Sequence, residues 1–153
     1  MNVFTYDSPV GPITISEFDG TICALDFGSQ QRTSDDFIET PLHKEASKQL
    51  KEYFNGIRKA FDLPLDLQGT PFQLRVWKAL QEIPYGETRS YKNIAVIIES
   101  PKAFRAIGHA NNQNPIPIIV PCHRVIGING DLVGYGGGLD IKKNLLEIEQ
   151  KNF

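Results

Sequence analysis

Apolar and polar residues alternate in three runs near the amino terminus: Val3-Phe4-Thr5-Tyr6, Ile13-Thr14-Ile15-Ser16 and Thr21-Ile22-Cys23-Ala24-Leu25. A period of two marks half-buried strands. Gly11-Pro12 separates the first two runs and Asp19-Gly20 the last two, and an Asp-Gly pair between alternating runs is a strong hairpin signal. The pattern predicts a small antiparallel sheet, with Cys23 packed inside it among apolar neighbours. Residues 28–40 are polar, carry turn formers and read as a loop. From Leu42 the period changes: Leu42, Ala46, Leu50, Tyr53, Phe54 and Ile57 recur at spacings of three and four, one face of a helix ending near Gly56. Phe61 to Leu67 alternates again but contains Pro64, so it predicts an edge strand or an extended connector. A first domain, residues 1–68, closes there.

The remaining residues, 69–153, are patterned differently. Thr70-Pro71-Phe72-Gln73 is a capping box with proline at the first helical position, and it predicts a helix to about Glu82 that buries Phe72, Val76, Ala79, Leu80 and Ile83, with Trp77 beside them. Ser90 is placed to cap a helix through Ile94, Ala95 and Ile98. Ser100-Pro101 is placed to cap another whose apolar face is Phe104, Ile107 and Gly108. Two short helices joined by a turn suggest a helix-turn-helix, although any small helical domain holds such pairs. Asp140 opens a last helix with Ile141, Leu145 and Ile148 on its buried face. Glu149 sits at the edge of that face, where a carboxylate needs a partner.

Composition is that of an ordinary globular chain: 153 residues, 41% hydrophobic and 22% charged. The amino terminus has no basic segment followed by an apolar one, and no apolar run reaches the length of a membrane span, so the chain is expected to be cytoplasmic, with no membrane partner. Cys23 and Cys122 are the only cysteines, far apart in unrelated contexts, which argues against a disulfide framework. Without a CxxC pair and with only three histidines, a zinc site is disfavoured. The net charge of -2 hides an asymmetry: residues 1–69 hold 6 basic against 11 acidic side chains, and residues 70–153 hold 10 against 7. The second half can carry a local phosphate-binding face; an ordinary solvated surface explains the count equally well.

Candidate chemistry centres on Pro115-Ile116-Pro117-Ile118-Ile119-Val120-Pro121-Cys122-His123-Arg124 and the glycine-rich run after it, Gly127 to Gly138. A β-branched run that reads as a buried strand is stopped by a proline and followed by three polar residues. Free cysteines are usually small buried hydrophobes. Here the adjacent imidazole and guanidinium would favour a thiolate if they lie close in space, which puts a nucleophile ahead of the packing role.

Pro121-Cys122-His123-Arg124-Val125, preceded by Asn114-Pro115-Ile116-Pro117, resembles the active-site signature of the O6-alkylguanine-DNA alkyltransferases. Gly69-Thr70-Pro71-Phe72-Gln73, Ile83 to Thr88, Ser90-Tyr91, Arg105-Ala106-Ile107-Gly108, Tyr135 to Leu139 and Leu145 to Glu149 are similar to the family in order and spacing, covering residues 69–150. The resemblance implies an α/β (α+β) chain: a small amino-terminal sheet-plus-helix domain, ribonuclease H-like, joined to a mainly helical domain with a winged-helix-like helix-turn-helix. It implies irreversible, single-turnover transfer of methyl or larger alkyl groups from O6 of guanine, and O4 of thymine, in duplex DNA to Cys122. On the same resemblance Glu149 orients His123, which takes the thiol proton through a water. Asn114 braces this network and Tyr91 donates a proton to the leaving base. Val125, Tyr135, Gly136 and Gly137, with Gly138, line the pocket, and the consecutive glycines leave room for larger alkyl groups. The base must be rotated out of the helix. Arg105 matches the finger that fills the vacated space, Ala106 and Gly108 permit close approach, and Arg124 joins the DNA-binding set as a positioning residue. The implied partner is double-stranded DNA containing alkylated guanine, met by a monomer without cofactor or metal. The rival readings are a noncatalytic lesion binder or regulator of the same fold and a cysteine hydrolase.

Overall fold

A computed structural model describes residues 1–29, 35–127, 129, 130, 135 and 137–153. These residues form two compact units, Met1–Leu67 and Gln68–Phe153.

The first unit is a four-stranded sheet with one helix. β1 (Asn2–Tyr6), β2 (Ile13–Phe18) and β3 (Thr21–Phe27) pair antiparallel, and β4 (Asp36–Phe37) adds parallel to β1, in the order β3-β2-β1-β4. Asp19 (φ 51°) and Gly20 (φ 79°) both take the left-handed region, as the hairpin turn requires. β4 lies where the polarity of residues 28–40 predicts only loop. Two residues are too few to show alternation, and backbone pairing to Asn2 and Val3 makes the strand. The Pro64-containing segment is a connector with one bridge, Leu65 to Ile22. α1 (Pro41–Phe54) is capped by Thr40, with His43 reaching back to the cap from the third helical position. The other nitrogen of buried His43 lies 3.0 Å from the Ile15 carbonyl and ties helix to sheet. Ala46, Leu50 and Tyr53 are buried as predicted, but Ile57 is 72% exposed, because the helix ends at Phe54 and Gly56 (φ 75°) turns the chain.

The second unit opens with α2 (Pro71–Gln81), where Thr70 and Gln73 close the capping box. A two-stranded parallel sheet, β5 (Arg89–Ser90) with β6 (Val125–Ile126), joins the start of α3 (Tyr91–Ile97) to the segment after Cys122. Ser90 caps α3, as predicted. α4 (Phe104–Asn112) packs on α2, and the Trp77 indole donates to the Ala110 carbonyl (2.8 Å). The cap expected from Ser100 does not form: the Ala103 N–H donates to the Ser100 carbonyl across a turn, Ala103 precedes the helix, and Phe104 is 46% exposed rather than core. Pro101 after Ser100 suits the second position of such a turn, which delays the helix. α5 (Leu139–Asn152) follows Gly138 (φ 101°). Its most buried positions are Lys142, Leu145 and Glu149, with Ile141 and Ile148 only partly covered.

Candidate active site

The site is built on the irregular segment between α4 and β6. The Asn114 side chain donates to the Val120 carbonyl (2.8 Å) and accepts from the Ile116 N–H (3.0 Å), so one amide bridges the loop at its base. Ile118 sits at φ 74°, a left-handed conformation that costs a β-branched residue about 1–3 kcal/mol. Pro121 (φ -82°, ψ 63°) centres an inverse γ-turn closed by the Cys122 N–H to the Val120 carbonyl at 2.8 Å. A 3-10 turn, Cys122–Arg124, follows. With roughly three residues per turn, its three side chains leave in directions about 120° apart.

That rotation separates the cysteine from the imidazole and the guanidinium beside it in sequence. His123 and Arg124 both reach Glu149 of α5. The Glu149 carboxylate accepts from His123 Nε2 (2.5 Å), Arg124 Nε (2.8 Å), Arg124 Nη2 (3.2 Å) and the Gly86 N–H (3.3 Å). Burial alone would raise its pKa, but the hydrogen bonds and charges of His123 and Arg124 outweigh burial and bring it to about 2. Glu149 is therefore ionised throughout the physiological range. Burial lowers the His123 pKa against the pull of Glu149, which leaves a neutral imidazole at pH 7. With the Nε2 proton given to Glu149, Nδ1 is a bare acceptor, and it has no hydrogen-bond partner among the described residues. Arg124 is also buried, and its remaining Nη1 donates to the Ile83 carbonyl (2.7 Å). The DNA-facing role expected for Arg124 is corrected: its guanidinium is the counter-charge that keeps Glu149 ionised.

Cys122 faces a different set. It is 4% exposed, and burial pushes its thiol up to about 11, although hydrogen bonds from Asn114 and Tyr135 and the charge of Lys142 pull the other way. The resting group is a thiol, not the thiolate that its sequence neighbours suggest. Lys142 is fully buried, donates to the Val125 carbonyl (2.6 Å), and is lowered by burial to about 8, with Cys122 pulling it back up. Tyr135, hydrogen-bonded to Cys122, is raised far above its ordinary value by burial. Tyr91 is half-buried at the start of α3; burial and Cys122 raise it, and an Asn111 hydrogen bond opposes them.

Cys122, His123, Asn114 and Glu149 are thus assembled around one turn, with Tyr91, Tyr135 and Val125 beside them. Gly137 is half-buried, and Gly136 lies outside the described residues. Arg105 and Ala106 are exposed on α4, and Gly108 faces Tyr91. Lys142, Asn111 and Gly86 are the participants that sequence reasoning missed. Lys142 stands three before Leu145 and seven before Glu149, and reading that stripe for charge as well as apolarity would have found it. Among the described residues no cluster of three or more His, Cys, Asp or Glu is placed to hold a metal ion, and no helix is long and apolar enough to cross a membrane.

Two family models match the chain: the 6-O-methylguanine DNA methyltransferase ribonuclease-like domain over residues 3–67 and its DNA binding domain over residues 71–151. The chain belongs to the 6-O-methylguanine DNA methyltransferase family. The methylated-DNA--protein-cysteine methyltransferase of Methanosarcina barkeri is 52% identical over 150 residues, with 95% of each chain covered. The constitutive Bacillus subtilis methylated-DNA--protein-cysteine methyltransferase is 49% identical and covers 100% of this chain and 98% of its own length. A crystal structure of Mycobacterium tuberculosis OGT in complex with DNA matches with a TM-score of 0.92 at 50% identity, covering 99% of this chain and 94% of that one. In this family member the two matched domains correspond to the sheet-plus-helix unit and to the helical unit that carries Cys122.

Proposed function

We propose that this chain repairs alkylated DNA by moving an alkyl group from O6 of guanine, and from O4 of thymine, in duplex DNA onto Cys122 Sγ, once per molecule and as a monomer. The observation that carries the reading is the buried Glu149–His123 pair, whose Nδ1, without a partner among the described residues, belongs to a neutral imidazole one residue from a buried thiol.

The thiol must lose its proton before it can displace carbon. A water bridging Sγ and Nδ1 would carry that proton to His123, and Glu149 would stabilise the imidazolium as it forms. Lys142 supplies positive charge to the developing thiolate. The new S–C bond forms as the C–O6 bond breaks, and the electron pair passes to the purine. Tyr91 then protonates the base. Its raised pKa makes it a poor acid at rest, so transfer waits until charge develops on the guanine. The product is a thioether on Cys122.

The lesion must leave the base stack to reach Cys122. Arg105 on α4 would enter the vacated space, with Ala106 and Gly108 keeping the helix backbone near the groove floor. Val125, Tyr135, Gly136 and Gly137 would line the alkyl pocket.

Incubation with duplex DNA containing O6-methylguanine, followed by intact-protein and peptide mass spectrometry, tests the reading. One methyl group on Cys122 at unit stoichiometry is expected, and none in Cys122→Ser. Hydrolytic turnover, or an unmodified Cys122, would refute it.

A further inference from the structure

We infer that Phe104 is a second DNA-opening side chain, an apolar wedge that enters the base stack beside Arg105 and lowers the cost of rotating the alkylated nucleotide out. The inference rests on the DNA-repair reading above.

Phe104 is the first residue of α4 and is 46% exposed, although its spacing with Ile107 predicts a core position. The helix is anchored without it: Ile107 and Ala110 are 0% and 1% exposed, and the Ala110 carbonyl accepts from Trp77. A large aromatic side chain is thus presented to solvent on the same turn as Arg105. Arg105 is itself exposed and makes no hydrogen bond or ion pair among the described residues. In a first helical turn the Cα–Cβ bonds tilt toward the amino terminus, so both side chains lean toward that end of α4, about 100° apart around its axis. No acidic residue occupies that turn to repel phosphate, and Lys102 before it is exposed.

The rest of the helix is small where a groove would meet it. A Cβ built on Gly108 would touch only Tyr91 Cε1, at 3.9 Å, so the protein's own packing does not require glycine there. Small Ala106 and Gly108 let the helix backbone come close to the floor of a DNA groove. Insertion between base pairs, as apolar wedges do elsewhere, removes the Phe104 ring from water and partly unstacks the step.

Methyl-transfer rates to Cys122 should be measured for wild type, Phe104→Ala and Phe104→Leu. The substrates are a paired O6-methylguanine duplex, the same duplex with an abasic site opposite the lesion, and free O6-benzylguanine. 2-Aminopurine beside the lesion reports unstacking. Loss of one stacking contact is expected to slow Phe104→Ala about 10-fold on the paired duplex and to shrink the aminopurine rise. The deficit should narrow opposite the abasic site, where the duplex is already open, and vanish on the free base. Phe104→Leu should keep most of the wild-type rate. Phe104→Ala matching wild type on the paired duplex, or losing equally on the free base, would overturn the wedge alone. A wild type that leaves Cys122 unmodified on every substrate overturns the repair reading itself.

Discussion

Replacing Glu149 with glutamine perturbs the most heavily committed group in the site. Glutamine keeps the shape of the side chain but removes the charge and turns one oxygen into an NH2 that faces N–H donors. Four donors now converge on the carboxylate, two of them from a guanidinium buried with it. A carboxyl held at about 2 against an ordinary 4.5 contributes roughly 3 kcal/mol at neutral pH. Truncating one partner of a buried ion pair costs about 3–5 kcal/mol in other proteins, an independent figure of the same size. The sign follows from the direction of the shift. A lowered folded-state pKa gives stability that is whole above the ordinary 4.5 and is lost as pH falls toward 2. Glu149→Gln should therefore be roughly 3 kcal/mol less stable than wild type near neutral pH, and the gap should close on acidification. Urea unfolding followed by the fluorescence of Trp77 measures this in the right place, since it is the only tryptophan and is buried in α2 of the same unit. Alkyl transfer should also slow by about 10- to 100-fold as His123 loses its orienting carboxylate. A stability loss under about 1 kcal/mol at neutral pH, or one that does not change on acidification, would show that Glu149 is not the buried counter-charge described here.

Three further outcomes are expected. Lys142→Met removes the cation that favours the thiolate and should slow single-turnover transfer about 10-fold at neutral pH. The gap should narrow above pH 8, where wild-type Lys142, lowered to about 8, loses its own charge; a pH-independent ratio would contradict the role. Glu99, at φ 60°, occupies the left-handed position of a Schellman ending to α3, with its N–H on the Val96 carbonyl and that of Ser100 on the Ala95 carbonyl. Glu99→Gly should raise stability by about 0.5–1 kcal/mol in thermal melts, relief of backbone strain exceeding the added chain entropy. A Cβ on Gly69 would fall 2.7 Å from the Trp77 ring and from the Gln73 side chain, so Gly69→Ala should cost about 1–3 kcal/mol in the same melts, and no loss would mean the α2 capping box has room to move.

Much of the fold was legible because its signals are local. Alternation in Val3 to Leu25, the Asp19-Gly20 turn, and the Thr70-Gln73 and Ser90 caps each depend on a few adjacent residues, and each element forms where its pattern lies. The departures share a cause as well. Phe104 and Ile57 fit a helical stripe, but the turn at Ser100 and the helix end at Phe54 leave both exposed, and periodicity does not register where a helix starts or stops. β4 depends on a partner strand more than thirty residues away in sequence.

Residue chemistry alone marked Cys122 as a candidate nucleophile beside an imidazole and a guanidinium, and Glu149 as a carboxylate in need of a partner; the family resemblance implied one network. The directions of the side chains were decided by tertiary structure. The 3-10 turn sends Arg124 to Glu149 instead of to the thiol or to DNA, and α5 brings a lysine seventeen residues after Val125 against the cysteine. Protonation was decided there too. Sequence neighbours suggested a thiolate, while burial holds Cys122 as a thiol and His123 as a neutral base. Propensity and turn chemistry act over a few residues and can be read from them in order. Desolvation and charge are sums over everything packed around a group, and they exist only once the chain has folded.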